Sequence, residues 1–163
     1  MRRSILFPLV LTLAGATPLA GQMRVDNADL WLTRSEAVAT FTVGNESPEP
    51  VQFTLTTGDW DRTDDGTNRF LPAGSTPTSC ERALEVFPRQ LRIGPGANQD
   101  VRVSLRADSL PNQACWSIIF VQTEPTLAGQ RSTAVSYVTR IGVKVYFNPD
   151  RTVTLAEIEG FSQ

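Results

Sequence analysis

Two cysteines, no histidine and four closely spaced aspartates set the limits of the chemistry open to this chain. Without histidine, a serine–histidine–acid triad and imidazole metal ligation are both excluded. In an oxidising compartment, Cys80 and Cys115 read as one disulfide rather than a metal site, with two free buried thiols as the alternative. Closing a loop of that length stabilises a fold by ~3–4 kcal/mol when the geometry is unstrained. Asp59, Asp61, Asp64 and Asp65 invite a calcium reading. A calcium loop would need an acid or amide at Thr63, however, and its closing glutamate falls on Pro72. The four acids therefore read as a solvated turn, which supplies neither the cleft nor the raised pKa values that sugar hydrolysis needs. Trp31, Trp60 and Trp116 could line a carbohydrate surface, although protein cores use such residues routinely. This inventory points away from an enzyme and calls for no metal and no cofactor.

The element that most needs explaining is the last long strand signal, Val135 to Phe147, closed by Asn148-Pro149. Every second residue forms a nearly unbroken apolar row: Val135, Tyr137, Thr139, Ile141, Val143, Val145 and Phe147. Arg140 and Lys144 lie on the opposite face. Such a run is about twice the usual strand length. A strand that outruns its own sheet has apolar side chains left to offer a partner.

The first residues indicate the compartment. Arg2 and Arg3 precede an apolar run from Ile5 to Leu13, and small residues follow at Ala14-Gly15-Ala16 and Leu19-Ala20-Gly21. That order is an export signal, assigned to residues 1–21, with cleavage after Ala16, Ala20 or Gly21. The run is shorter than the ~20 residues a membrane span requires, and no second stretch of that length follows. The expectation is an exported protein without stable membrane insertion. Without Arg2 and Arg3, 13 basic residues face 17 acidic ones, a net charge of about −4. Nucleic acid, which favours a clustered basic excess, is not an expected partner.

Beyond the signal no useful helix period appears, and strand signals recur between Gly, Pro, Asn and Asp clusters. They fall over 25–32, 37–43, 51–60, 84–87, 91–93, 100–106 and 115–122, before the long strand. Residues 61–79 read as a long loop. Pro88 cannot donate to a ladder, so it marks a sheet edge or a switch between sheets. The segment 115–122 is apolar on both faces and reads as a central strand. About seven short strands so spaced predict an all-β, immunoglobulin-like antiparallel sandwich over 22–149, with a closed barrel as the alternative.

Several stretches resemble one family. Val86-Phe87-Pro88-Arg89-Gln90-Leu91-Arg92-Ile93-Gly94-Pro95-Gly96, followed by Gln99 and Val101-Arg102-Val103, is similar to the central stretch of PapD-like periplasmic pilus chaperones. Leu110-Pro111 and Trp116 resemble the approach to that family's sixth strand. Arg140-Ile141-Gly142-Val143-Lys144-Val145-Tyr146-Phe147-Asn148-Pro149 resembles the end of its seventh. Trp60 with the Asp64-Asp65-Gly66 turn resembles the third strand and its loop.

The resemblance implies a mechanism of strand donation. Members of the family insert alternate apolar residues of the seventh strand into a pilus subunit that lacks its own last strand. A lysine there, paired with a first-strand arginine, holds the subunit's C-terminal carboxylate. Main-chain hydrogen bonds supply affinity and alternate pockets supply specificity. Carried over by position, Val135, Tyr137 and Ile141 would be the donors and Lys144 the carboxylate anchor. The implied partners are pilus or other surface-fibre subunits and an outer-membrane usher; the donor edge could also pair two copies of the chain.

Two departures stand out. The first-strand arginine position falls near Asp29, flanked by Arg24 and Arg34. The family also carries a second immunoglobulin-like domain, whereas 14 residues follow Pro149, and 150–163 reads as the start of a missing one. The rival expectation is a structural or adhesive envelope domain of the same fold that donates no strand.

Overall fold

The structure, a computed structural model, describes residues 23–124 and 138–149. The export signal, the segment holding Val135 and Tyr137, and the tail 150–163 lie outside the described residues. The chain forms two β-sheets packed face to face. One holds β1 (Met23–Asp26), β3 (Val38–Asn45), β8 (Asn98–Leu105) and β6 (Leu84–Phe87), in the order β1-β3-β8-β6. The other runs β2 (Asp29–Leu32), β10 (Arg140–Phe147), β9 (Cys115–Thr123), β4 (Val51–Arg62), β5 (Asn68–Pro72), and β7 (Gln90–Ile93) also pairs with β4. All pairings between these strands are antiparallel except β2 with β10. The immunoglobulin-like sandwich expected from the strand signals is the observed architecture.

The core lies between the sheets, and period-2 alternation fills it. Phe41 and Val43 on β3 and Val101 and Val103 on β8 face Phe53 on β4, Ile119 and Val121 on β9, and Val143, Val145 and Phe147 on β10; all are almost fully buried. Each such side chain contributes about 1.5–3 kcal/mol through removal from water. The row read as apolar in the last strand signal is thus the core-facing row where it is described.

The ten strands among the described residues exceed the expected number for identifiable reasons. The single signal over 25–32 is two strands in different sheets, because Asn27 adopts φ 63° and turns the chain between them. Its side-chain amide donates to the Thr40 carbonyl at 3.2 Å, holding the corner to β3. Only glycine and, less readily, asparagine or aspartate enter this left-handed region cheaply. Pro88 also marks a switch: β6 belongs to the four-stranded sheet and β7 to the six-stranded one.

The segment 61–79 is not the open loop its composition suggested. β4 continues to Arg62 and folds back as β5, through a turn in which Thr63 N–H donates to Thr67 O and Gly66 N–H to Thr63 O. Polar and glycine-rich residues here reflect an exposed hairpin rather than missing structure. The remainder, to Cys80, is held by two ties. One is the disulfide between Cys80 and Cys115. The other is Asp59, fully buried on β4, whose carboxylate accepts from Thr76 N–H (3.0 Å), the Thr76 hydroxyl (3.2 Å) and the Ser79 hydroxyl (2.7 Å). The Ser117 hydroxyl approaches the same carboxylate at 3.4 Å and itself accepts from Cys80 N–H at 3.0 Å.

Two stability measurements follow from these features. Asn27→Ile should lower the unfolding free energy by about 1–2 kcal/mol, the cost of a side chain branched at Cβ in the left-handed region, while Asn27→Gly should change it by less than ~0.5 kcal/mol. Asp59→Ala leaves part-buried hydroxyl and amide donors without their acceptor and should cost about 2–4 kcal/mol. Both are read from urea unfolding followed by circular dichroism.

Candidate functional site

The open edge of β10 is built by the chain turn at Asn27. β2 starts only at Asp29 and covers β10 from Lys144 to Phe147, in the register Lys144↔Asp29, Val145↔Leu30, Tyr146↔Trp31, Phe147↔Leu32. Lys144 N–H donates to Ala28 O at 2.7 Å and Asn148 N–H to Leu32 O at 3.0 Å, so even-numbered residues of β10 direct their backbone groups to this side. Odd-numbered residues direct theirs to β9, as the bond from Thr123 N–H to Thr139 O (3.0 Å) shows for the adjoining residue. Strand geometry alternates these directions. Arg140 and Gly142 therefore turn their N–H and C=O groups toward the space beyond the start of β2. Among the described residues no strand takes them up. Their other side is fully paired with β9, from Arg140↔Gln122 to Phe147↔Cys115.

The described strand begins at Arg140, and Val138 and Thr139 precede it without regular pairing. Thr139 N–H is nonetheless taken by the Thr123 hydroxyl at 2.9 Å. The proposed donors Val135 and Tyr137 lie outside the described residues. Ile141 is half-buried and packs against the core. Lys144 is on the opposite, outward face.

That outward face carries a second apolar cluster: Trp60, Ile118 and Phe120, with Trp116 and Tyr146 packed against it. The central strand β9 is apolar on both faces because it must fill this layer as well as the core. Gly142 makes room for it, since a Cβ there would lie 2.6 Å from Ile118 Cδ1. Phe70 from β5 meets Phe120 edge-on at 5.4 Å. Tyr146 stacks on Trp31 at 4.3 Å and meets Trp60 edge-on at 5.9 Å. Trp31 stays 70% exposed, so one ring of the cluster lies at the surface.

Two cations roof the cluster. The Arg140 guanidinium carbon sits 3.6 Å from the Phe120 ring centroid, and the Lys144 ammonium 4.0 Å from that of Trp60. Each contact contributes about 0.5–2 kcal/mol, depending on how far the cation is withdrawn from water. Burial pushes the Tyr146 hydroxyl above its ordinary pKa; the Asp29 charge adds to this and Arg62 opposes it. The Trp116 indole donates to Trp60 O at 3.0 Å, whereas the Trp60 indole nitrogen is buried without an acceptor among the described residues.

The first-strand position beside Lys144 is occupied by Asp29. Neither flanking arginine substitutes for it. Arg24 bonds Asp26, Glu46 and Asn98 at the far sheet, and Arg34 donates to Pro111 O and Asn112 Oδ1, both at 3.3 Å. The junction of Lys144 and Asp29 is thus close to charge-balanced.

The four aspartates do not converge. Asp59 is the buried tie described above, and Arg69 on β5 grips Asp61 with two bonds, at 2.9 and 2.5 Å, holding its carboxyl below the usual range. The Thr63 hydroxyl and the Thr67 amide lower Asp65 within the hairpin turn. The sequence pattern around Trp31, Trp60 and Trp116 did not reveal that they share one outward face. Their parity in three separate strands becomes informative only once the register of β2, β10, β9 and β4 is known.

No protein-family model and no curated protein matches this chain. Solved structures do. The Escherichia coli chaperone DraB is similar over 78% of this chain with a TM-score of 0.55 and 16% identity. A chain of the CsuC–CsuE chaperone–tip adhesion subunit pre-assembly complex of Acinetobacter baumannii is similar over 79%, with a TM-score of 0.56 and 11% identity. The periplasmic chaperone SfaE is similar over 82%, with a TM-score of 0.54 and 10% identity. This chain covers 54%, 57% and 60% of those three chains respectively. The two-sheet sandwich described here, with its first strand divided between the sheets, has the fold found in pilus-assembly chaperones.

Proposed function

We propose that this protein is a periplasmic chaperone-like module that binds pilus, fimbrial or other surface-fibre subunits by lending them the open edge of β10. The observation that carries the reading is the backbone of Arg140 and Gly142, which no strand among the described residues pairs on this side, in a chain with the fold of pilus chaperones. An unpaired sheet edge seeks a partner strand, and a subunit lacking one strand presents the complementary need. The export signal read at residues 1–21 and the periplasmic description of SfaE support the compartment.

In this reading Val135, Tyr137 and Ile141 present apolar side chains to the subunit. Ile141 does so from the rim of the core, where its side chain is half-covered by the domain itself. Lys144 meets the end of the docked segment without help from a first-strand arginine. An outer-membrane usher and a pairing of two copies through the same edge belong to this reading as further partners. The work is binding alone and needs no bond-making chemistry.

Replacing Val135 and Tyr137 together by aspartate should abolish co-purification of subunits from the native envelope while the circular dichroism melting curve stays within a few degrees of wild type. Unchanged capture by that variant would reject the donor assignment. A wild-type protein that brings down no subunit-type client would favour a structural or adhesive domain instead. Lys144→Met should weaken subunit binding about tenfold, the loss of one charge-assisted hydrogen bond, measured by titration calorimetry with the captured client.

A further inference from the structure

The open edge of β10 has a charge preference of its own, and this inference rests on the strand-lending reading above. We propose that Arg140 selects an acidic side chain on the partner's strand, at the position directly beside it when that strand docks.

A strand added along Arg140 and Gly142 places its side chains about 4.5–5.5 Å from their same-face neighbours. On the outward face those neighbours are Arg140 and Gly142. Arg140 is exposed, but its guanidinium is held in place by the Phe120 ring 3.6 Å beneath it. Phe120 in turn is fixed by Phe70 at its edge and by close approach to Gly58, where a Cβ would lie 3.0 Å from Phe120 Cε2. The β9 residue in register with Arg140 is the neutral Gln122, and no carboxylate among the described residues pairs with Arg140. Glu124, at the end of β9, is engaged by the Thr54 hydroxyl.

The cation is therefore pre-positioned and, among the described residues, uncompensated on the side a docked strand would approach. A carboxylate there makes a charge-assisted hydrogen bond, whereas a lysine meets like charge. At Gly142 the nearest side chains on the outward face are those of Ile118 and Phe120, so the next same-face position on the partner has an apolar neighbourhood. The partner is thus an extended segment of another protein chain, apolar toward the half-buried Ile141, with one acidic residue on its outward row.

The probes are two synthetic decapeptides of alternating valine and serine, one with aspartate and the other with lysine at a single central polar position. Binding to the full mature chain is read by fluorescence anisotropy at low salt. The aspartate peptide should bind about five- to tenfold more tightly, and the difference should shrink in 0.5 M salt. Arg140→Glu should reverse the order and Arg140→Gln should level it, with melting curves showing that both variants remain folded. Equal binding of both peptides, unchanged in Arg140→Glu, overturns the selection by Arg140 and leaves strand docking standing. Failure of both peptides to bind wild type overturns strand docking, and the selection with it.

Discussion

A parallel strand pair ends where its shorter member ends, and here that end is decided at Asn27. The left-handed turn sends the residues before it to one sheet and those after it to the other. β2 consequently reaches β10 only from Asp29 onward, and among the described residues no strand pairs the backbone of Gly142 and Arg140 on this side. Had the first strand stayed in one sheet, it could have run on beside β10 and sealed this edge. The same corner that joins the two sheets leaves the start of β10 without a partner strand on this side among the described residues.

The outward face of the six-stranded sheet follows a related constraint. β9 is the strand between β10 and β4, so its outward residues, Ile118 and Phe120, need cover that no helix provides among the described residues. Aromatic rings from neighbouring strands supply it, and the long side chains of Arg140 and Lys144 lie over the rings with their charges toward water. This places the cations of β10 at fixed points instead of letting them sample solvent. It also draws Lys144 toward Trp60 although Asp29 is its register neighbour.

The segment between β5 and β6 has its own rigid anchorage. Asp59 holds it from below through three donors, and the disulfide holds it to the start of β9. The two ties converge on Ser117 and Cys80, so this end of the sandwich is fastened opposite the end that leaves β10 open.

Much of this was legible in the residues themselves. Alternation marked the apolar row of the last strand, which the fold turns to the core where it is described, because a period of two leaves little choice once one face must be dry. Pro88 marked the change of sheet, since it cannot serve a continuous ladder, and the cysteine count with no histidine led to the disulfide. The split at Asn27 is read through as one strand in the sequence: Asp26-Asn27-Ala28-Asp29 is a stretch of poor strand formers, but only the left-handed backbone of Asn27 shows that the chain changes sheet there. The hairpin of β5 was hidden by polar composition, as exposed strands need no apolar row. The aromatic layer, the roofing cations and the meeting of Lys144 with Asp29 are properties of register between distant strands. Local sequence determines which side of a strand is apolar; only the folded sheets decide which side chains become neighbours and which edge is left unpaired.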